Sequence, residues 1–430
     1  MKKSTSNSRL KNSLRCGTGE AYLIVKNNPT IDFSKQLIYA ATHDLAYDAQ
    51  CEQNRAKYIY SIICLTTSKE KIIKGILDIL LNKKDDDWWA LEQMCEIAML
   101  IAKDGHKIAR TILYKRFQKN LKKGYTYCGN ESIMKLDGMD GLVMIADVVG
   151  QILQRDPDDW EDSSRLDYFQ ENNPDIDVYK TIEKAAKKNK NIKAYLNSIK
   201  ANNKLRSKRT RNTAPTKYTY DSIKEQIGKV NGFFLAQRVQ RDLSQNDIIL
   251  LANDFLNETD TKKRAIYLRI FSYNKFPLDY KYILEIVKSK GIQKKDLFYY
   301  GIEALSLFSS DKLREFALAN LSKSRNTYQY LPLLVSNYKK GDHKLILHII
   351  EKTYNENNIH YIAVALNDIY LTNPSIECKK PIEAIYQKLN CSIHREDLMR
   401  ILISNNVLSK RIKEEIQYDC RKSIQELLVK

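Results

Sequence analysis

The sequence predicts an all-α fold, and three observations carry that expectation. Glycine (14) and proline (8) are scarce in a chain of 430 residues, well below their usual shares of about 7% and about 5%. Apolar residues recur at helical spacing in one short segment after another, while strand alternation and Asn-Gly or Asp-Gly hairpin signals are nearly absent. With 43% hydrophobic and 10% aromatic residues, the chain has enough apolar side chains to bury a sizeable core.

Taken in order, the chain divides by charge. Residues 1–19 hold five Lys/Arg and no acid and predict a basic disordered tail. No apolar stretch of signal-peptide length follows them, and no run approaches the roughly 18 residues of a membrane span, so a cytoplasmic protein without membrane contact is expected. Residues 20–183 form an acidic body, with 21 basic and 27 acidic side chains. Here "FSKQLIYAATHDLAY", "RAKYIYSIICLTT", "KEKIIKGILDILL", "WWALEQMCEIAMLIAKDG" and "HKIARTILYKRFQKNL" are five amphipathic runs within 33–121, and "GLVMIADVVGQIL" is a sixth, with "LDGMDG" at 136–141 between helical stretches. Residues 184–220 hold twelve Lys/Arg and no acid. Ile192, Tyr195, Leu196 and Ile199 keep helical spacing there, and "RSKRTRNTAPT" then loses it, which predicts a basic helix and a linker. Residues 221–430, net +8, return to short amphipathic segments joined by brief polar turns.

The stretch "NNPTID" at 27–32 returns as "NNPDID" at 172–177 and as "TNPSIE" at 372–377. Each places Asn-Pro before an Ile-acid step and a helical pattern, which predicts a proline-set turn followed by an acid near a helix start, an architectural unit used three times. In the last body an apolar helix ends at "ETD" before Arg264, Leu268 and Phe271, and "SSDKLREFALANL" sets Arg314 three residues after Asp311. These pairs resemble HEAT and armadillo-type repeats, in which an aspartate in the turn and an arginine on the second helix tend to link neighbouring units. The resemblance implies an α-solenoid of HEAT-like helical repeats, with structural ladder roles for Asp260 with Arg264 and for Asp311 with Arg314. The match at "AKDGHKIARTIL" is looser, with Asp104 followed by Lys107 or Arg110.

Several chemistries lack their minimum signatures. There is no G-x-x-x-x-G-K-[ST], G-x-G-x-x-G, G-x-S-x-G or H-E-x-x-H. "LDGMDG" fails the calcium-loop template, and His343 and His348 are five apart rather than four. The eight cysteines (Cys16, Cys51, Cys64, Cys95, Cys128, Cys378, Cys391, Cys420) contain no C-x-x-C and predict reduced, mostly packed thiols; no metal and no cofactor are expected. Tyr218, Tyr220, Tyr299 and Tyr300 are the tyrosines among 27 that stand near basic residues or on a repeat helix, and packing in half-buried positions, in place of the few Phe (11), is the favoured role.

The function expected from this pattern is a non-enzymatic scaffold that binds a protein partner on a surface built from helix faces. The alternative is nucleic-acid binding through the basic segment, where Lys204, Arg206, Lys208, Arg209 and Arg211 would contact phosphates without reading sequence. A narrower enzymatic form of that alternative follows from one HEAT-like family, the DNA glycosylases that release alkylated purines with aromatic residues and an aspartate. Its candidates are Trp88 and Trp89 with Asp87, and Trp160 with Asp159, from the shared Asp-Asp-Trp of "DDDWWALEQM" and "PDDWEDSS". Both lie in the acidic body, where a DNA backbone is repelled, and a capped helix start is the simpler expectation.

Overall fold

A computed structural model describes residues 3–84, 87–121, 128–156, 158–208, 217–229, 236–289, 291, 296–323 and 327–428. Among these the chain is all-α, without a strand. It falls into two compact units: one comprises 1–212 together with 414–429, and the other 213–413. No described helix is long and apolar enough to cross a membrane.

The first unit opens with a helix, Lys3–Cys16, where the charge pattern predicts a disordered tail. The correction has a simple cause. Leu10 and Leu14, one turn apart, are fully withdrawn from solvent, and Cys16 follows them into the core. The same corner receives the chain's last turns, for Tyr418 stacks on Tyr22 with ring centroids 4.1 Å apart and the Cys420 amide donates to the Gly17 carbonyl at 2.9 Å. Residues 414–428 thus belong to the same unit as the amino-terminal helices.

In the middle of this unit a buried Gln93, on helix Trp88–Lys103, ties three elements together. Its amide nitrogen donates to the carbonyls of Ala40, Ala41 and His43, and its oxygen accepts from the Arg55 amide. The helix Asn130–Leu153 is broken at Gly138 (φ 57°, ψ −130°), a conformation that only glycine adopts without strain. Near its other end, a Cβ at Gly150 would lie 1.9 Å from the Asn191 carbonyl, so glycine permits the close packing of the basic helix Lys190–Lys208 against it. Ile192, Tyr195, Leu196 and Ile199 are the buried face of that basic helix.

The second unit is built from consecutive short helices. Thr261–Phe271, Asp296–Ser306, the 3-10 segment Thr327–Leu334, Glu356–Thr372 and Ser392–Ser404 succeed one another as neighbours. Between them in sequence, Lys281–Lys288, Asp311–Leu321, His343–Lys352 and Lys379–Tyr386 pack against them. Thr327–Leu334 is a 3-10 segment and holds Pro332, which has no amide to donate to the turn before it.

Polar side chains join these turns one to the next. Arg314 grips Asp342 with two bonds of 2.7 and 2.8 Å and also donates to the Asn337 carbonyl at 2.6 Å. Asn337 in turn reaches back to the Ser310 amide and the Phe308 carbonyl. One step on, Glu377 accepts from the Tyr338 hydroxyl and the Gly341 amide and pairs with His343 at 3.3 Å.

The three Asn-Pro stretches are the same local device. Asn28, Asn173 and Asn373 each donate a side-chain N–H to the carbonyl four residues back, at 2.8, 2.9 and 2.8 Å, closing the helix before the proline. The acid that follows serves the next start: Asp32 accepts from the Ser34 amide and Asp177 from the Lys180 amide. Glu377 is diverted to the preceding turn, as described above.

Candidate functional site

Glu303 and Tyr299 lie one turn apart on the helix Asp296–Ser306, which puts them on the same side of it. Tyr361, from Glu356–Thr372, meets the Tyr299 ring edge-on with centroids 5.9 Å apart, and Tyr328, from Thr327–Leu334, meets Tyr361 at 5.7 Å. Tyr300 closes on the other side of Tyr299 at 5.1 Å. Edge-to-face rings at these separations are the favoured aromatic geometry. Three neighbouring elements therefore present one continuous row of tyrosines with a carboxyl among them.

Burial, reinforced by the charge of Asp368, pushes the Glu303 carboxyl up to about 7. The Tyr361 hydroxyl donates to it at 3.5 Å, a long bond that lowers the carboxyl only in part against burial. Among the described residues no Lys, Arg or His is ion-paired with either Glu303 or Asp368. Asp368 is exposed on one side but crowded enough that desolvation raises its own carboxyl. The tyrosines answer in kind. Tyr299 is pushed up to about 12 by burial and by the Glu303 charge, and Tyr361 is raised well above its ordinary value for the same reasons. Tyr299 still exposes 43% of its surface. The arrangement can do one thing chemically without further parts: it can receive a cation between ring faces and an uncompensated carboxylate.

Adjacent to Tyr361 in sequence, His360 joins a second group. Cys391 caps the start of Ser392–Ser404, and its Sγ lies 3.2 Å from Nδ1 of His394, one turn along. The His394 and His360 rings stand at 84° with centroids 4.5 Å apart, and one potential ligand atom from each of the three residues falls within 4.8 Å of the others. Cys391 is buried and both histidines are half-buried. The sequence carried half of this signal, as Cys391-Ser-Ile-His394, a C-x-x-H step that a search for C-x-x-C and H-E-x-x-H passes over. The other half, His360, stands 31 residues upstream and is brought in only by packing of the two helices.

Asp87 accepts from the Ala90 amide at 3.0 Å as the cap of its helix, with Lys83 3.7 Å away. Asp159 accepts from the Trp160 amide. Trp88 and Trp89, at the start of the helix Trp88–Lys103, are 37% and 42% exposed; Trp160 is 61% exposed, and the expected helix start at the second Asp-Asp-Trp is not there, because the next helix begins only at Ser164. Lys204 and Arg206 are exposed on the Lys190–Lys208 helix, and Arg206 pairs with Asp162 at 2.9 Å. Lys208 ends that helix, while Arg209 and Arg211 lie outside the described residues. Asp260 caps its helix through the Lys263 amide, and Arg264 lies over the Phe255 ring at 5.4 Å. Among the described residues no ion pair joins Arg264 to Asp260. Arg314 takes Asp342 as its partner, and Asp311 pairs with Lys339 at 3.3 Å. Arg110 pairs with Asp137, leaving Asp104 to Lys69 and the Tyr60 hydroxyl. Tyr218 is buried under Arg238, and Tyr220 donates to Asp254. No disulfide joins any of the eight cysteines.

Comparison of the chain with models of protein families, with curated proteins and with solved structures gives no match.

Proposed function

We propose that the protein is a HEAT-like helical-repeat scaffold, without catalytic activity of its own, that holds a protein partner through a cationic segment at the Tyr299–Glu303–Tyr361 face. One observation carries this reading: Glu303 sits among tyrosine rings with a second acid, Asp368, nearby and, among the described residues, no ion-paired base, in a unit whose net charge is otherwise positive. A buried carboxyl without a counter-charge is costly to maintain, and an ammonium or guanidinium from outside relieves that cost while its flat or methylated head stacks on the rings. Tyrosine is also among the residue types enriched at the energetic centres of protein interfaces. The two-layer succession of helices, with turns linked by Arg314–Asp342 and by Glu377, supports the repeat-scaffold part of the reading.

The test is a titration of the full chain with a labelled lysine-rich peptide and with its fully acetylated, uncharged counterpart, followed by fluorescence anisotropy. Binding of the charged peptide only, weakened in Glu303→Gln, supports the reading. Equal binding of the two peptides, or undiminished binding by the variant, removes it.

A second reading is supported by the basic helix. Lys190, Lys193, Lys200 and Lys204 are all exposed while its apolar residues face the core, so the charges line the outer surface. Such a row would bind nucleic-acid phosphates by charge alone. A steep negative dependence of oligonucleotide binding on salt, lost when Lys204, Arg206, Lys208, Arg209 and Arg211 become Gln, separates this reading from peptide capture at Glu303.

A further inference from the structure

We propose that His360, Cys391 and His394 form a binding site for a zinc-type divalent ion. The site lies outside the Glu303 face and does not depend on it.

The donor set comes first. One thiolate sulfur with two imidazole nitrogens is a combination that zinc takes readily, and oxygen-seeking ions such as calcium and magnesium do not. Geometry follows. With Zn–S near 2.3 Å and Zn–N near 2.0–2.1 Å, the donors of a tetrahedral site stand roughly 3.3–3.6 Å from one another. Here the Cys391 Sγ to His394 Nδ1 distance is 3.2 Å and all three donors lie within 4.8 Å. An ion therefore has to draw one side chain inward by on the order of 1 Å, which rotation of a half-buried imidazole supplies.

The frame around the donors is rigid. Cys391 and His394 share one helical turn, and that helix packs on the one carrying His360. Ile359, Ile362, Leu398 and Met399, flanking the donors in sequence, are all buried, so little side-chain or backbone freedom remains to be lost on binding. Binding converts the Cys391 thiol to thiolate and releases its proton to solvent, so affinity rises with pH. Three protein donors leave a fourth position, which water or a donor from a bound molecule completes.

The same contacts also suit a structural Cys–His hydrogen bond, and the experiment separates the two. The full chain, stripped of metal with a chelator, is titrated with Co²⁺ and then with Zn²⁺. One equivalent of cobalt is expected, with a thiolate-to-cobalt charge-transfer band in the near ultraviolet and intense visible bands of tetrahedral coordination, both erased when zinc displaces it. Cys391→Ser abolishes the charge-transfer band, and His360→Asn or His394→Asn weakens binding by at least about a hundredfold, beyond what loss of an outer-sphere partner causes. Cys378→Ser, altering a buried cysteine away from the cluster, keeps the band. Circular dichroism melts of each metal-free variant report folding, and Cys391→Ala provides a second, apolar replacement. Absence of stoichiometric cobalt binding with a charge-transfer band, or its survival in a folded Cys391→Ser or Cys391→Ala chain, overturns the proposal.

Discussion

Glu92 in the first unit and Glu303 in the second are shifted alike, each pushed up to about 7 chiefly by burial, yet their surroundings are opposite. Glu92 faces its own backbone: it accepts from the Gly129 amide at 3.1 Å and from the Cys128 thiol, and it holds the turn that starts the helix Asn130–Leu153. Glu303 faces rings, with one long bond from Tyr361 and an acid as its nearest charge. A raised carboxyl is thus a poor guide to function by itself. What separates a structural glutamate from a binding one is whether the groups it contacts are already committed donors of the same fold.

The largest expected effect tests what the two share. Each carboxyl keeps its proton to about pH 7 in the folded chain but gives it up near 4.5 when unfolded. Between those values the folded state holds more protons, so stability is full below the lower value, declines as pH rises through the window, and levels off above it. At 1.36 kcal/mol per unit, and discounted for partial exposure, each group accounts for roughly 1–3 kcal/mol. Denaturant unfolding from pH 4.5 to 8 should show that decline, and Glu92→Gln with Glu303→Gln should flatten it. A profile unchanged in the double variant would mean that neither carboxyl titrates abnormally.

The next effect separates the pair. Glu92→Ala strips the Gly129 amide of its acceptor and should cost about 1–3 kcal/mol at pH 6. Glu303→Ala leaves no backbone donor stranded and should cost less, or stabilise the chain at pH 8. Equal losses at pH 6 would make Glu303 a structural residue like Glu92. Binding should divide them the other way. Glu303→Gln weakens the lysine-rich peptide by about tenfold, roughly 1.4 kcal/mol, while Glu92→Gln leaves it unchanged. Because the cation requires the ionised form, affinity should also climb between about pH 6 and 8 in the wild type only.

Local features of this contrast were legible in the sequence to different degrees. The all-α class follows from scarce glycine and proline and from periodic apolar residues, and the Asn-Pro turns followed by acids at helix starts are short-range chemistry that a sequence displays directly. Asp87 and Asp260 as caps belong to the same order of information. The Lys3–Cys16 helix was hidden because its charge dominates the composition, while only Leu10, Leu14 and Cys16 anchor it. Partner choice was hidden throughout. Nothing local tells Arg314 to pass over Asp311, three residues before it, for Asp342, 28 residues on, because at i, i+3 the acid is exposed on the turn while the later one is packed beside the guanidinium. Glu303 meets Tyr361, and His360 meets the Cys391–His394 step, only through packing of separate helices, so no spacing rule contains either contact.

The smallest effects bear on how the Glu303 face discriminates. Tyr299 exposes nearly half of its surface, so Tyr299→Leu keeps the apolar contact but loses the ring face, a change worth about 0.5–1 kcal/mol at an exposed site, or roughly two- to fivefold in affinity. Tyr361→Phe is the sharper probe. It preserves the edge-to-face row with Tyr299 and Tyr328, and removes only the hydroxyl whose hydrogen bond draws the Glu303 carboxyl down against burial. Without it that carboxyl rises further, so the pH at which peptide binding reaches half its full strength should move upward while the strength at high pH changes little. Nuclear magnetic resonance titration of the Glu303 side-chain carboxyl, alongside peptide binding from pH 6 to 9, reads both quantities. An unmoved midpoint would mean that the hydroxyl contributes nothing to the carboxylate and that the rings alone, through their faces, set the preference for a cation.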